Sequence, residues 1–213
     1  IHVRSRRTAK EKPPWKTLPA VDSTIEASFV LPVHLGDTIL PFRALAPLRG
    51  VIPWDGRRLL HGGHELLGRY PGLNAWWTQA EAVWTKHRSS ERLTLIEQFD
   101  YRSKLRDQFL ANGTCPPMRV VYSTSGMYMA SAIITDFTAV IDCKLYWATC
   151  PTAEEAHYLC AVLNSDRLTL AVRAYQSRGE HNPRDFHMYV WQLPIPAFDP
   201  SHSLHAALAK LGA

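Results

Sequence analysis

Arg178, Glu180, His181, Arg184 and His187 fall within the fourteen residues AYQSRGEHNPRDFH (174–187). Such a density of cationic, acidic and imidazole groups could hold a metal, move a proton or grip an anion. A second histidine pair, His61 and His64, flanks two glycines in HGGH. Zinc needs three or four ligands at compatible spacing, usually ordered by H-E-x-x-H or paired C-x-x-C. Neither pattern occurs, and HGGH reads as a glycine turn with exposed histidines. Ser123, Ser125 and Gly126 in YSTSGMY lack the G-x-S-x-G elbow that exposes a nucleophilic serine. Small hydroxyl residues before glycine suit a hairpin turn, and such a turn can present hydroxyls to phosphates. Asp136, Asp142, Glu154 and Glu155 could be assembled into a nuclease-like acidic cluster. Glu154 and Glu155 are better explained by a helix start, where acids complement the dipole. No G-x-x-x-x-G-K-[ST] and no G-x-G-x-x-G is present to cradle a phosphate. These residues supply no catalytic set, no metal centre and no cofactor motif.

What survives is the polar loop from Gln176 to Arg184. It carries Gln, Ser, two Arg, Glu, His and Asn. Those side chains read base edges: Arg takes guanine, Gln or Asn takes adenine, and Glu takes cytosine. They also suit other acidic partners, and a solvated surface loop has the same composition.

The elements that must position these groups form an α+β chain. Of its 213 residues 46% are hydrophobic and 20% charged, ordinary for a soluble globular protein with a sizeable core. No apolar run approaches the roughly 20 residues needed to span a membrane. The chain opens on Ile1 with no apolar stretch behind its basic start. That excludes a signal peptide and points to a fragment of a longer protein. The whole net charge of +5 lies in residues 1–20, with six basic side chains against one acid; the other 193 residues sum to zero. This basic, Pro-containing segment, 1–22, reads as a linker or a phosphate-touching arm. Cys115, Cys143, Cys150 and Cys160 show no C-x-x-C spacing. Cys143 and Cys160 fall in apolar patterns, so buried thiols in a reducing cytoplasm are expected.

Residues 26–53 are short apolar runs cut by Pro and Gly, the pattern of short strands. Leu73, Trp76, Trp77, Ala80 and Trp84 at helical spacing predict a helix over about 72–87, its tryptophans mainly in the core. Another is expected over about 100–110. Four runs between about 118 and 149 (MRVVYST, MYMASAIIT, AVID and KLYWAT) have gaps too short for crossover helices, which predicts an antiparallel meander. Thr152 and Glu155 form a T-x-x-E capping box for a following helix, and Asn164-Ser165-Asp166 can cap a second. The polar loop comes next, then MYVWQLPIP, an expected strand that Pro194 and Pro196 confine to an edge. SHSLHAALAKLG closes the chain as a helix within 201–213. Residues 23–200 read as one domain, divisible into 23–112 and 113–200.

RVVYSTSGMYMASAIITDFTAVIDCKLYWATC, TAEEAHYLCAVLNSDRL and QSRGEHNPRDFHMYVWQLPIPAFDP together resemble the C-terminal target-recognition region of large adenine-specific (N6) DNA methyltransferases. These belong to type II (type IIG-like) restriction-modification systems in which one chain carries modification and recognition. The resemblance covers about residues 93–200, and the helix ending in LNS with the LPIP segment is its most specific part. It implies double-stranded DNA as partner and a cytoplasmic location without membrane attachment. It also implies an N-terminal methyltransferase domain of the same chain that binds S-adenosylmethionine. In that family an N-P-P-[YF] motif holds the flipped adenine; here Asn182-Pro183 continues as Arg184-Asp185. This chain would then read DNA and not methylate it.

A recognition domain needs phosphate contacts to dock and polar side chains to discriminate. By position, the resemblance offers Ser123, Ser125 and Gly126 in the hairpin turn, and Lys144 and Tyr146 near the end of the meander. At the polar loop it offers Arg173, Gln176, Ser177, Arg178, His181, Asn182 and Arg184. Two other classes stay open: a protein-interaction or scaffold domain, and a small hydrolase or nuclease using the loop's His and acidic residues.

Overall fold

The computed structural model describes residues 1–8, 11–111, 118–176 and 185–213, and it is α+β as expected. The first half holds β1 (His2–Arg4), β2 (Asp22–Thr24), β3 (Val30–His34), β4 (Ile39–Leu40), β5 (Arg43–Ala44) and β6 (Leu48–Val51). Helices α1 (Pro71–His87), α2 (Leu95–Phe99) and α3 (Lys104–Ala111) follow. The second half holds β7 (Met118–Ser123), β8 (Ser131–Ile134), β9 (Val140–Ile141) and β10 (Leu145–Cys150). It ends with α4 (Ala153–Leu163), α5 (Asp166–Arg173) and α6 (Ser203–Leu211). Two compact units result: Ile1–Leu31 with Arg49–Leu110, and Pro32–Leu48 with Ala111–Ala213. Residues 32–48 of the first half belong with the second unit.

In the first unit the opening residues, expected as a linker, are folded in. Strand β1 pairs antiparallel with β2, and the Ser5 N–H donates to the Val21 carbonyl at 2.8 Å. Trp15 stacks on Trp84 of α1 with ring centroids 5.5 Å apart. These contacts bury apolar surface that a solvated arm would leave in water. Helix α1 starts at Pro71, where a missing N–H costs nothing. The Glu26 carboxylate caps it by accepting from the Gly72 and Leu73 N–H groups at 3.0 and 2.9 Å. A side chain at Gly72 would collide with the Thr24 backbone, so glycine permits that approach. Leu73 and Trp77 of α1 are buried, Leu73 in one cluster with Ile25, Phe29, Leu60 and Leu67. The helix expected over 100–110 is α3, which begins at Lys104 after a kink with Arg102 and Ser103 at positive φ; the separate α2 ends just before, at Phe99.

The second unit is built on β7. Its residues alternate between two cores, as period-2 side-chain geometry requires. Val120 and Tyr122 join Cys160, Leu163, Val172 and Phe186 on the helical face, while Val121 joins Ile39, Ala132, Ile141 and Leu145 on the other. Val120 and Val121 are fully buried, each worth about 1.5–3 kcal/mol. The strand order is β10-β7-β8, with both pairings antiparallel, and it is not the expected meander. Strand β9 leaves the sheet and pairs in parallel with β3 (Val33↔Val140 and His34↔Ile141). The buried Arg119 guanidinium donates to the carbonyls of Asp136 and Ala139 at 2.6 and 2.9 Å and so directs the turn before β9. Strand β10 then returns to the other edge of β7. Residue pattern marks a strand; it does not say which edge the strand will find.

Thr152 and Ser165 cap the two helices as expected, although Thr152 does so by one bond and not by the full capping box among the described residues. The Thr152 hydroxyl accepts from the Glu155 N–H, and the Ser165 hydroxyl accepts from the Leu168 N–H. Asn164 between them ties helix to sheet: its carboxamide accepts from the Ser131 N–H and donates to the Ser131 and Cys160 carbonyls at 2.9–3.0 Å. Cys150 and Cys160 are buried and Cys143 is half-buried, while Cys115 lies outside the described residues. The expected edge strand at MYVWQLPIP is instead a 3-10 helix, His187–Gln192, followed by irregular chain. Val190 is fully buried there, and Tyr189, Trp191, Leu193 and Ile195 pack against the helical-face core. That burial satisfies an apolar run without strand pairing, and two prolines could donate nothing to a ladder. Among the described residues no helix is long and apolar enough to cross a membrane.

His34 is buried, its Nδ1 3.0 Å from the Thr38 hydroxyl. That hydroxyl donates to the Leu35 carbonyl and accepts from the Leu35 N–H, so the histidine N–H supplies the remaining donor. Burial, and then the nearby Arg119 cation, hold the imidazole below its ordinary pKa, partly offset by Asp136. The folded state therefore resists a proton that the unfolded chain accepts. Stability should be full above the ordinary His pKa of about 6.5 and fall as pH drops from there toward the lower folded value. Urea unfolding on either side of that pKa should show the loss, and His34→Gln should flatten it. An unchanged pH slope in the variant contradicts this role.

Candidate nucleic-acid interface

The end of β7 gathers most of the sequence-derived positions. After Ser123 the chain makes a loop, 124–130, before entering β8. The Ser123 hydroxyl donates to the Ser125 carbonyl at 3.0 Å, which holds the loop's first turn. The Thr124 N–H donates to the Lys144 carbonyl at 3.2 Å, bringing the exposed Lys144 turn alongside. The Thr124 carbonyl accepts from the Phe186 N–H at 2.6 Å, and Ser125 bridges antiparallel to Asp185. From α5, Arg173 donates to the Met127 carbonyl at 3.1 Å, its guanidinium 5.5 Å from the Tyr128 ring centre. Ser123, Ser125, Gly126, Lys144 and Arg173 thus lie at one rim, together with Asp185, just past the end of the polar loop.

Gly126 is needed for space: a Cβ there would come within 3.0 Å of the Tyr128 carbonyl and 3.7 Å of the Phe186 ring. Phe186 is fully buried and anchors the return of the loop. His187 beside it has φ 43, a left-handed conformation that non-glycine residues hold only when surroundings impose it. The Tyr122 hydroxyl supplies part of that constraint by donating to the His187 carbonyl at 2.8 Å. Burial pushes the Tyr122 phenol far above its ordinary pKa, so it stays a donor. The His187 imidazole lies 3.4 Å from the Asp185 carboxylate, an ion pair when protonated.

Two positions differ from the rest. Tyr146 pairs across from Tyr122 and its ring stacks there with centroids 5.7 Å apart, half-buried against the core. It supports the sheet and presents little to a ligand. Gln176 is half-buried, and its Nε2 has no hydrogen-bond partner among the described residues. Ser177, Arg178, His181, Asn182 and Arg184 lie outside the described residues.

The aromatic part of this rim is not apparent from the sequence pattern. Met127 and Tyr128 are 55% and 61% exposed, and Tyr175 and Met188 are 48% and 57% exposed. Exposed apolar side chains beside a cation, as Met127 and Tyr128 are beside Arg173, are unusual enough to signal a contact surface. Met127 and Tyr128 open the run read as a strand, MYMASAIIT, although β8 begins only at Ser131. An aromatic directly after a Ser-Gly turn is the available signal.

Nothing at the rim forms a nucleophile–base pair among the described residues, since the Ser123 proton is committed to a backbone carbonyl. Burial, with Glu155 adding to it, pushes the Cys150 thiol up to about 11, and burial also raises Cys160. Neither is a thiolate at neutral pH. Among the described residues no three His, Cys, Asp or Glu side chains could share a metal ion. His64 caps the 3-10 helix Glu65–Arg69 by accepting from the Leu66 N–H, and the Gly62 N–H donates to Glu81 of α1. HGGH is a turn.

No protein-family model and no curated protein matches the chain.

The rim offers hydroxyls, cations and flat aromatic faces. If Tyr122 holds the loop's return, Tyr122→Phe should cost about 1 kcal/mol in urea unfolding. It should also speed amide exchange at 185–188 more than in the sheet. Equal acceleration everywhere, or none at 185–188, contradicts the anchoring role.

Proposed function

We propose that this chain is a sequence-specific DNA-binding, target-recognition module. In this reading it serves an S-adenosylmethionine-dependent adenine DNA methyltransferase of a restriction-modification system, in the cytoplasm. The observation that carries it is the rim: Arg173, Lys144, the Ser123–Gly126 turn and exposed Tyr128 lie together where the chain after the polar loop is anchored at Asp185. Cations and hydroxyls dock on phosphates and fix register, while Arg, Gln, Asn and Glu in a loop discriminate base edges. The Arg178 and Arg184 guanidiniums, each able to donate in pairs to guanine, are the strongest base-reading residues by chemistry. The resemblance of residues 93–200 to target-recognition regions supports the same assignment.

The residues here do not fit S-adenosylmethionine. Asn182-Pro183-Arg184-Asp185 is not an adenine-clamping motif. The acids lining the larger cleft of the first unit, Glu97 and Asp100, already accept from the Thr94 N–H and from the Leu105 and Arg106 N–H groups. No methyl-transfer step is assigned to this chain; the methyltransferase domain of the same polypeptide would supply it. A second reading, a protein-interaction surface, is favoured by the exposed Met127, Tyr128, Tyr175 and Met188.

Selection of duplexes from a randomised pool on the chain separates the two. A recurrent motif should emerge, with affinity falling as salt rises because bound phosphates release counterions. Arg178→Ala should cost about 1–3 kcal/mol against the preferred base and relax choice at one position. Equal weakening of all sequences would move Arg178 to a phosphate. No enrichment, with binding indifferent to salt, overturns the DNA reading and leaves the protein-interaction reading.

A further inference from the structure

Charge is divided unequally between the two units. The first carries 16 Lys and Arg against 10 Asp and Glu, a surplus of six; the second carries 8 against 9. The unit that holds the reading loop is therefore slightly acidic. Duplex DNA presents about one negative charge per 1.7 Å of axis, so docking needs cations that this unit lacks overall. They must come from elsewhere, and the first unit has them.

Five of that surplus of six lie in residues 1–20, and apart from that segment three arginines of the unit line one cleft. A cleft of about 540 Å³ in the first unit is lined by Arg58, His61, Tyr101, Arg102, Ser103 and Arg106, with Glu97 and Asp100 at its wall. Both acids accept from local donors, and Asp100 Oδ2 also lies 4.0 Å from Arg106 Nε as an ion pair. Glu97 Oε2 accepts from the Thr94 N–H and hydroxyl, each at 2.8 Å. Asp100 Oδ1 accepts from the Leu105 and Arg106 N–H groups at 3.1 and 3.0 Å, capping α3. Three exposed guanidiniums then line an opening that also holds two carboxylates, one of them paired with Arg106. Arg106 also donates to the Ser103 hydroxyl, and Arg102 lies over the Tyr101 ring at 5.4 Å.

The backbone here is strained. Arg102 and Ser103 are consecutive non-glycine residues with φ 56 and 59. Left-handed conformations of such residues are costly, and where they persist they cluster at functional sites. A glycine would serve a purely architectural turn better. Arginine at that position makes sense if its charge is needed there.

We propose that the Arg58–Arg102–Arg106 cleft binds a phosphate group, and that the group is a backbone phosphodiester of duplex DNA. The assignment of the donor as DNA rests on the recognition reading above; the phosphate chemistry of the cleft does not. Arginine suits this task because its planar fork matches phosphate oxygens bidentately. The cleft supplies grip without sequence information, and the rim of the second unit supplies the choice.

The test uses the whole chain with Arg102→Gly and Arg106→Gln. Each variant should weaken binding to selected and mixed-sequence duplexes by the same factor. Each should lower the slope of log affinity against log salt by about 0.9 for every phosphate no longer neutralised, with sequence preference unchanged. Arg102→Gly should melt no lower than the parent, since glycine relieves the left-handed strain, so weaker binding would not reflect unfolding. A parallel titration with inorganic phosphate, followed by amide resonances of 102–106, should shift them in the parent and not in the variants. If the parent binds duplexes and both variants keep its affinity and slope, the proposal is overturned. If the parent binds no duplex but phosphate still shifts 102–106, the recognition reading fails and the cleft stands as a site for a small phosphate-bearing anion. If neither duplex nor phosphate reaches it, the cleft proposal fails on its own.

Discussion

Strand β7 is buried on both faces, and what the second unit presents to a partner depends on that burial. Val120 and Tyr122 pack under the helices while Val121 packs under the opposite sheet residues, so a one-residue slip would exchange two cores. The register is consequently fixed, and with it the point where the chain leaves the strand at Ser123. Everything at the rim is measured from there. The 124–130 loop, the Lys144 turn and the return at Asp185–His187 are tied by backbone pairing to Thr124 or Ser125 or by the Tyr122 hydroxyl. The described chain on either side of the polar loop is thus held to the end of a buried strand.

The LNS and LPIP segments do structural jobs. Asn164 joins α4 to β8, Ser165 caps α5, and the Tyr158 hydroxyl donates to the Pro196 carbonyl of LPIP. These residues build the scaffold, and the variable polar chemistry hangs from it. That division is the ordinary one between rigid elements and functional loops.

Helices are legible where periodicity and caps agree. Leu73 through Trp84 mark α1, Thr152 marks the start of α4, and Ser165 marks that of α5. Strands are legible as runs but not as neighbours: AVID joins β3 in parallel, and the order β10-β7-β8 replaces the meander. MYVWQLPIP reads as a strand because aromatic and branched residues favour strands, yet core packing makes it 3-10 helical. At the site, Ser123 and Gly126 are legible as a turn. Lys144 and Tyr146, two residues apart, look equivalent in sequence, although one is exposed and the other stacks on Tyr122. Tyr128 is hidden inside an overlong strand pattern. The strained Arg102–Ser103 kink has no sequence signal, since nothing in a single sequence marks an arginine at positive φ.

The most direct measurement is amide hydrogen exchange of the whole chain, with and without a duplex it selects. Protection should appear at 123–130, at the Lys144 turn, and on both sides of the polar loop at 173–176 and 185–187. The face formed by α4 and α6 should be unchanged. Protection confined to α4 and α6, or none at the rim while DNA is bound, would contradict the account.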